Sequence, residues 1–437
     1  MAYNLIAVTL VTTDLIDQDF LTDASSTPQA CMMINGSSKD AMFMRTEGEI
    51  GITYSIEYVQ ALTNPTIWAG TVTLDGTNTS AVSNGDGTET VTVTDVPGLV
   101  NLEGGRGFFR LLRTENGETL ASSVNGWVDT TFGTTCRTYN NPFISCSLLT
   151  STVTAVSGQD VTLLDAVPAL PAGSHYIEIT SGDFEGHRFD FTTVLGNTLT
   201  LESDSDLCVL AAPLNTLLGA PSANLVGDSI SIHTHRTLNS TYPVDEMSAN
   251  IDQDFADQVI MWNDGTFLEY YLYAGTPNKW VLVGDATLAD QGEVALPPGH
   301  GSFVSSKAIK TITAYGHVRD YDFARPVCDD RNLMGGGYPL DQSALERDYT
   351  KTAGFDGNPD FKLADQFLIW NGDNTAGDNG YNLYYYLDYS TFLRWIVMGD
   401  ASVAPREGEL LFLRDRAVML ESKLGLETYI QPLPWAP

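Results

Sequence analysis

Basic side chains are scarce in this chain: 22 Lys and Arg stand against 55 Asp and Glu, a formal net charge of −33. A surface of that sign repels phosphate backbones and anionic headgroups, so nucleic acid and the membrane surface are excluded as partners. Long apolar runs are missing too, which excludes a spanning helix. Residues 5–13, LIAVTLVTT, form an apolar run with no Lys or Arg ahead of it, since Lys39 is the first basic residue. That is not the pattern of a secretory signal. The five cysteines show no CxxC spacing, which argues against a zinc ribbon or a thioredoxin-like motif. Cys136 and Cys146 are the nearest pair for a bridge, and buried, unreactive thiols are the simpler expectation. Catalytic signatures are also lacking: no GxSxG elbow, no GxxxxGK phosphate loop, no HExxH pair.

What is present is short alternation. Thr, Val, Ile and Tyr alternate with polar residues and are punctuated by Gly, Asn and Asp, as in residues 84–87 (NGDG), Asn116-Gly117 and Gly196-Asn197. Such dipeptides favour the left-handed turns of β-hairpins. The fold class predicted is all-β, with several sandwich or barrel domains; residues 340–349, LDQSALERDY, are the best candidate for a short helix. A chain of 437 residues exceeds what one core fills, so several domains are expected.

The second half repeats itself. Residues 255–265, FADQVIMWNDG, return as LADQFLIWNGDN at 363–374; EYYLY at 269 returns as LYYYL at 383, and WVLVGD at 280 as WIVMGD at 395. YPVDEMSAN at 242 is aligned with YPLDQSALE at 338. The order is kept, as a duplication requires, and two copies can bury each other's apolar faces in one sandwich. The divisions expected are an extended segment at 1–30, a sandwich at 31–135 with Trp68 as a core plug, a small barrel or sandwich at 141–236, and repeat copies at 237–325 and 326–437.

Within the first sandwich, TYSIEY at 53–58, Trp68 and RGFFRL at 106–111 resemble the fibronectin-type-III-like modules of large verrucomicrobial surface proteins. From residue 141 onward, YIEITSGDFEGHRFD, ADQVIMWN, the Tyr-rich strand and WVLVGD resemble an uncharacterised verrucomicrobial β-rich family. The resemblance implies a fold and carries no activity. The second copy departs from it, with REGELLFLRDRAVML where LPPGHGSFV stands in the first.

Candidate sites are few. His233 and His235, two apart on one strand face, can offer two ligands to a transition metal, with His187 or Asp190 as a third. Asp252, Asp254 and Asp257, like the acidic segments at 84–89, 202–206 and 371–380, offer oxygen ligands to calcium, or serve turns. Asp285 and Asp400 are the repeat-related carboxylates a glycosidase would need, although each follows Gly where Asp commonly bonds its own turn. Tyr270, Tyr271, Trp280, Tyr384, Tyr385 and Trp395 must divide between the two faces of their strands: one face core, the other a subunit interface or a sugar-stacking platform.

The function expected is a non-enzymatic structural subunit of a large ordered assembly, a surface filament, surface layer or phage-like particle, made of copies of this chain. Its termini are expected to be held by neighbours, with residues 2–13 adding a strand to a neighbour's sheet edge. The location expected is extracellular or on a particle. An alternative is a secreted carbohydrate-binding protein with calcium-supported loops, and a further one a glycoside hydrolase.

Overall fold

The computed structural model describes residues 30–434 apart from 36–37, 63–65, 75–76, 78, 86, 97–104, 203–224, 264–265, 328–329, 371–379, 390–391, 400–403, 407–410 and 424–427. The expected donor strand at 2–13, the termini, most of the acidic segments at 202–206 and 371–380, and Cys208, Cys328 and Asp400 lie outside that description.

The chain is nearly all β, and its hairpins close where the turn chemistry predicts. Asn116 and Gly117 both take positive φ, 52° and 86°, and join strands Arg106–Glu115 and Glu118–Ala121 with Glu115 opposite Glu118. That is the two-residue turn whose twist matches the strands it connects. The predicted helix at 340–349 does not form. Gln342–Ser343 is a strand, and the turn after it ends at Asp348 with φ of 55°; the four-residue helix Leu238–Thr241 occupies the equivalent place in the first copy.

Two sheets make the N-terminal sandwich. One runs Ala30–Asn35, Ser38–Thr46, Thr88–Val93, Thr79–Ser83; the other runs Lys310–His317, Asn125–Phe132, Arg106–Glu115, Ile52–Val59, Gly70–Thr73. Alternate residues fill the space between them: Phe43, Tyr54, Ile56, Phe109, Leu111 and Trp127. Trp127 is the core plug, where Trp68 was expected. Gly107 lies flat against the Trp127 ring, leaving no room for a Cβ. Trp68 is only half-buried, with the Arg110 guanidinium 4.7 Å from its ring centroid.

Six strands from Ser147–Ser157 to Ser229–Thr234 close into a barrel around Leu149, Ile177, Leu199, Ile230 and Ile232. The remaining two five-stranded sheets are the duplicated unit. In spatial order they read Arg137–Tyr139, Ser302–Ser305, Gln258–Asn263, Thr266–Tyr273, Lys279–Leu282 and Asp330–Met334, Val418–Ser422, Gln366–Trp370, Tyr381–Tyr389, Phe392–Val397. Each copy adds a ribbon, Arg236–Thr237 with Ala295–Leu296 and Gln342–Ser343 with Leu411–Phe412. The first copy therefore starts before the barrel, which is inserted after its first strand.

Hydrogen bonds fix the alignment of the copies. Trp280 Nε1 donates to Tyr242 O at 3.2 Å, and Trp395 Nε1 to Tyr349 O at 2.7 Å, so Tyr242 corresponds to Tyr349 and not to Tyr338. The outer faces of the two sheets meet: Ile260, Trp262 and Phe303 pack against Leu333, Leu368, Trp370 and Met419. Backbone bonds cross the seam in both directions, Asn140 N to Asp415 O at 3.1 Å and Gly335 N to Gly299 O at 2.8 Å. Burying a shared apolar face is what holds the pair together.

Candidate functional site

His187, His233, His235, Asp190, Asp252, Asp257 and Asp285, singled out by sequence, are engaged in the fold's own hydrogen bonds. His233 and His235 flank Tyr176, with ring centroids 5.4 and 4.5 Å from its own. His233 Nδ1 donates to Ser145 O at 3.0 Å, and His235 Nε2 to Asp190 Oδ1 at 2.8 Å. His187 turns to Phe184 O instead of joining them. Burial pushes His233 down to about 4 and lowers His235 against the pull of Asp190, so both rings are neutral at pH 7. Asp252 caps the short helix Gln253–Phe255 by accepting from Asp254 N at 3.0 Å. The buried Asp257 carboxylate accepts from Ser248 N at 2.7 Å, from Lys307 N at 2.6 Å and from Lys310 Nζ. The three aspartates do not converge on a common point. Asp285 closes its own turn through Thr287 and Ala289, and those bonds hold its carboxyl below the usual range.

The aromatic strands divide as alternation demands. Tyr270 and Trp280 enter the first core, Trp395 the second, and Tyr384 packs against the second from its margin. Tyr271 and Tyr385 take the opposite face, paired with Val281 and Ile396 across their hairpins.

A cluster of buried charge sits where the barrel meets the loop after His317 and the start of the second copy. Strand His175–Ile179 is buried along its whole length and carries Glu178. Arg319 grips that carboxylate with two bonds, Nη2 to Oε1 at 2.7 Å and Nε to Oε2 at 3.0 Å, and Tyr321 OH donates to the same Oε2. Arg319 Nη1 reaches Gly337 O at 3.0 Å, and Tyr338 OH donates to Tyr321 O at 2.6 Å. Burial alone would raise Glu178, but the bidentate guanidinium outweighs it and lowers its pKa. All donors face a neighbour, so the cluster works as a lock between barrel and repeat. A cleft of about 20 Å³ beside it is lined by Tyr139, Tyr176, Arg236, Tyr242, His300 and Ser302. It has room for a single water molecule.

Sequence reasoning passed over this lock. The one available signal was Glu178 itself, a charge between two isoleucines; the loop carrying Arg319 covers the face of the strand from which it points. The cysteines depart from the expectation of unreactive thiols, and the bridge is not between the nearest pair, Cys136 and Cys146. Cys31 and Cys146, 115 residues apart, are joined as a disulfide, whereas Cys136 is a free, half-buried thiol whose pKa burial raises. Among the described residues, one group of three His, Cys, Asp or Glu side chains lies within metal-binding range of one another: Cys31, Cys146 and His317.

No helix of the described residues is long and apolar enough to cross a membrane. No family model matches the chain, and no curated protein matches it. Two solved structures are similar, both of an uncharacterised protein from Listeria monocytogenes EGD-e, one in complex with α-D-glucose, β-D-glucose, magnesium and calcium. Each is 10% identical with a TM-score of 0.17, over 94% of this chain and 30% of that one. The chain spans less than a third of that protein, and a likeness at that TM-score speaks to neither fold nor function.

Proposed function

We propose that this chain is a non-enzymatic structural subunit that associates with copies of itself, edge to edge, in an extracellular or particle-borne ordered assembly. The observation that carries the reading is the strand Thr79–Ser83, TSAVS. Among the described residues it ends its sheet, pairing only with Thr88–Val93. It carries no charge, no proline and no bulge, and Val82 is 66% exposed. Natural edges are usually protected by one of those devices, and an edge without them is a template for another strand. Asn84 N bonds Thr88 O at 2.9 Å, which sets the ladder so that Ala81 points its backbone N–H away from Thr88–Val93 and outward. The buried carboxylates Glu178, Asp257 and Asp365 and the rings of His233 and His235, each bonded to a structural partner, agree with a scaffold role.

Light scattering and negative-stain microscopy of the native protein test it, with and without a calcium chelator. Large regular particles are expected, and Ala81→Pro, which removes an outward donor without touching the ladder, is expected to reduce them to folded monomers. Collapse on chelation would add calcium as part of the contact. A monomer of 47.4 kDa at all concentrations overturns the reading.

A further inference from the structure

We propose that Cys31, Cys146 and His317 form a redox-gated metal site: a disulfide clamp when oxidised and, when reduced, a three-donor site for a soft divalent ion such as zinc. Three separate segments bring these side chains together. Cys31 follows Ala30 in the first strand of the sandwich, and His317 ends the strand Lys310–His317. Cys146 lies two residues beyond Ile144, which pairs with His317 through backbone bonds of 3.1 and 3.0 Å. The donor atoms lie within 4.8 Å of one another, a spacing that a metal with sulfur and nitrogen ligands bridges.

A hydrogen bond fixes the histidine's tautomer. Its Nε2 lies 2.9 Å from Ala30 O, and a carbonyl can only accept, so the proton sits on Nε2 and the lone pair on Nδ1. Bonding the far ring N–H to a backbone carbonyl fixes the tautomer and the ring plane, the usual outer-shell arrangement of a ligating imidazole. Asn125 Nδ2 donates to the same carbonyl at 2.9 Å and holds it in place. His317 is 8% exposed, and its ring nitrogen completes the group of three donors with the two sulfurs. Cys146 is half-buried and gives solvent its access.

The redox step balances. A dithiol reductant transfers two electrons and two protons to the Cys31–Cys146 bond and becomes a disulfide itself; the two thiols then release two protons as they bind the ion as thiolates. Three protein ligands leave a fourth position for water.

The test uses the full chain with Cys136, Cys208 and Cys328 replaced by serine, so that Cys31 and Cys146 are the sole thiols. Cobalt(II) and zinc are titrated into oxidised and reduced samples, followed by thiolate-to-cobalt charge transfer and by metal content after desalting. One equivalent is expected in the reduced protein and none in the oxidised. His317→Gln, which keeps a donor toward Ala30 O, is expected to weaken binding at least tenfold while leaving the oxidised protein folded. Equal binding by oxidised and reduced samples overturns the site, as does a His317→Gln protein that binds as tightly as its parent.

Discussion

The two repeat copies have the same backbone bonds and different interiors. In each, an aspartate accepts from two backbone N–H groups that tie distant loops together: Asp257 from Ser248 and Lys307, Asp365 from Asp356 and Lys423. A glutamine reaches back to the short helix in each, Gln258 to Gln253 O and Gln366 to Phe361 O. The filling differs. Val259, Leu272, Met247 and Leu296 of the first core stand where the second has Phe367, Tyr386, Phe355 and Phe412. Leu238 gives way in the other direction to Ala344, making room for the larger rings. What persists is what satisfies buried polar groups, because leaving one unpaired costs about 1–3 kcal/mol wherever it sits, whereas apolar volume can be redistributed.

The largest difference between the copies is the inserted barrel, and its lock is the place to break it. Arg319→Met should destabilise the protein by about 3–5 kcal/mol, because Glu178 is left charged and buried without its partner. Glu178→Leu in that background should recover most of the loss, since a buried ion pair replaced on both sides by apolar groups is often neutral. Urea unfolding of the single and double variants reads both effects.

Acid should separate the copies next. The six histidines, His175, His187, His233, His235, His300 and His317, lie in the barrel, in the first copy or, for His317, at the end of the sandwich strand Lys310–His317, and residues 326–437 hold none. Burial lowers His233 to about 4 and His300 to about 3, with Arg325 adding to the second. The unfolded chain therefore binds protons that the folded one refuses. The stability these groups contribute is complete above about pH 6.5 and falls as pH drops toward the folded values, by about 1.4 kcal/mol for each deeply buried ring at pH 5.5. Asp365 in the second copy has the opposite sign, because burial raises its pKa and protonation there favours the fold. Hydrogen exchange at pH 7.5 and 5.5 should show protection lost around His233 and His300 and retained around Asp365. Uniform loss would mean the copies unfold as one unit.

Swapping core residues sharpens the comparison further. Val259→Phe alone should overpack the first core by about 1–3 kcal/mol, and adding Leu238→Ala should restore part of it, reproducing the pairing that the second copy uses. If the double variant is no better than the single, the two cores are not built on the same volume exchange.

Much of this was legible in the sequence, and the limits have a physical pattern. Turn residues and strand alternation report on local backbone, so the hairpins at Asn116-Gly117 and Gly196-Asn197 and the Tyr-rich strands could be read directly. The repeat was legible because ADQ and the Trp of WxxxGD mark polar bonds that both copies keep. The alignment of Tyr242 with Tyr338 failed because a matching Tyr-Pro-x-Asp carries no information about which carbonyl a distant Trp will bond. Glu178 with Arg319 and Cys31 with Cys146 are contacts across more than a hundred residues, and alternation says nothing about what covers a strand's second face.

The smallest effect concerns the one polar contact that the first copy's aspartate has and the second's lacks. Lys310 Nζ donates to Asp257 and to Ser248 Oγ at 3.1 Å, on a side chain 11% exposed. In the second copy Lys423 Nζ turns to Glu421, and Asp365 is left with its two backbone donors. Lys310→Met should make Asp257 resemble Asp365 and cost about 1–2 kcal/mol, the worth of a charge-assisted bond less the two amide bonds that remain. In that background Asp257→Asn should cost about the same as Asp365→Asn does in the native chain. A double-mutant cycle on Lys310 and Asp257 measures the coupling directly. A coupling near zero would mean that the two backbone donors hold each carboxylate unaided, and that Lys310 serves only to dock the first copy against the sandwich strand that carries it.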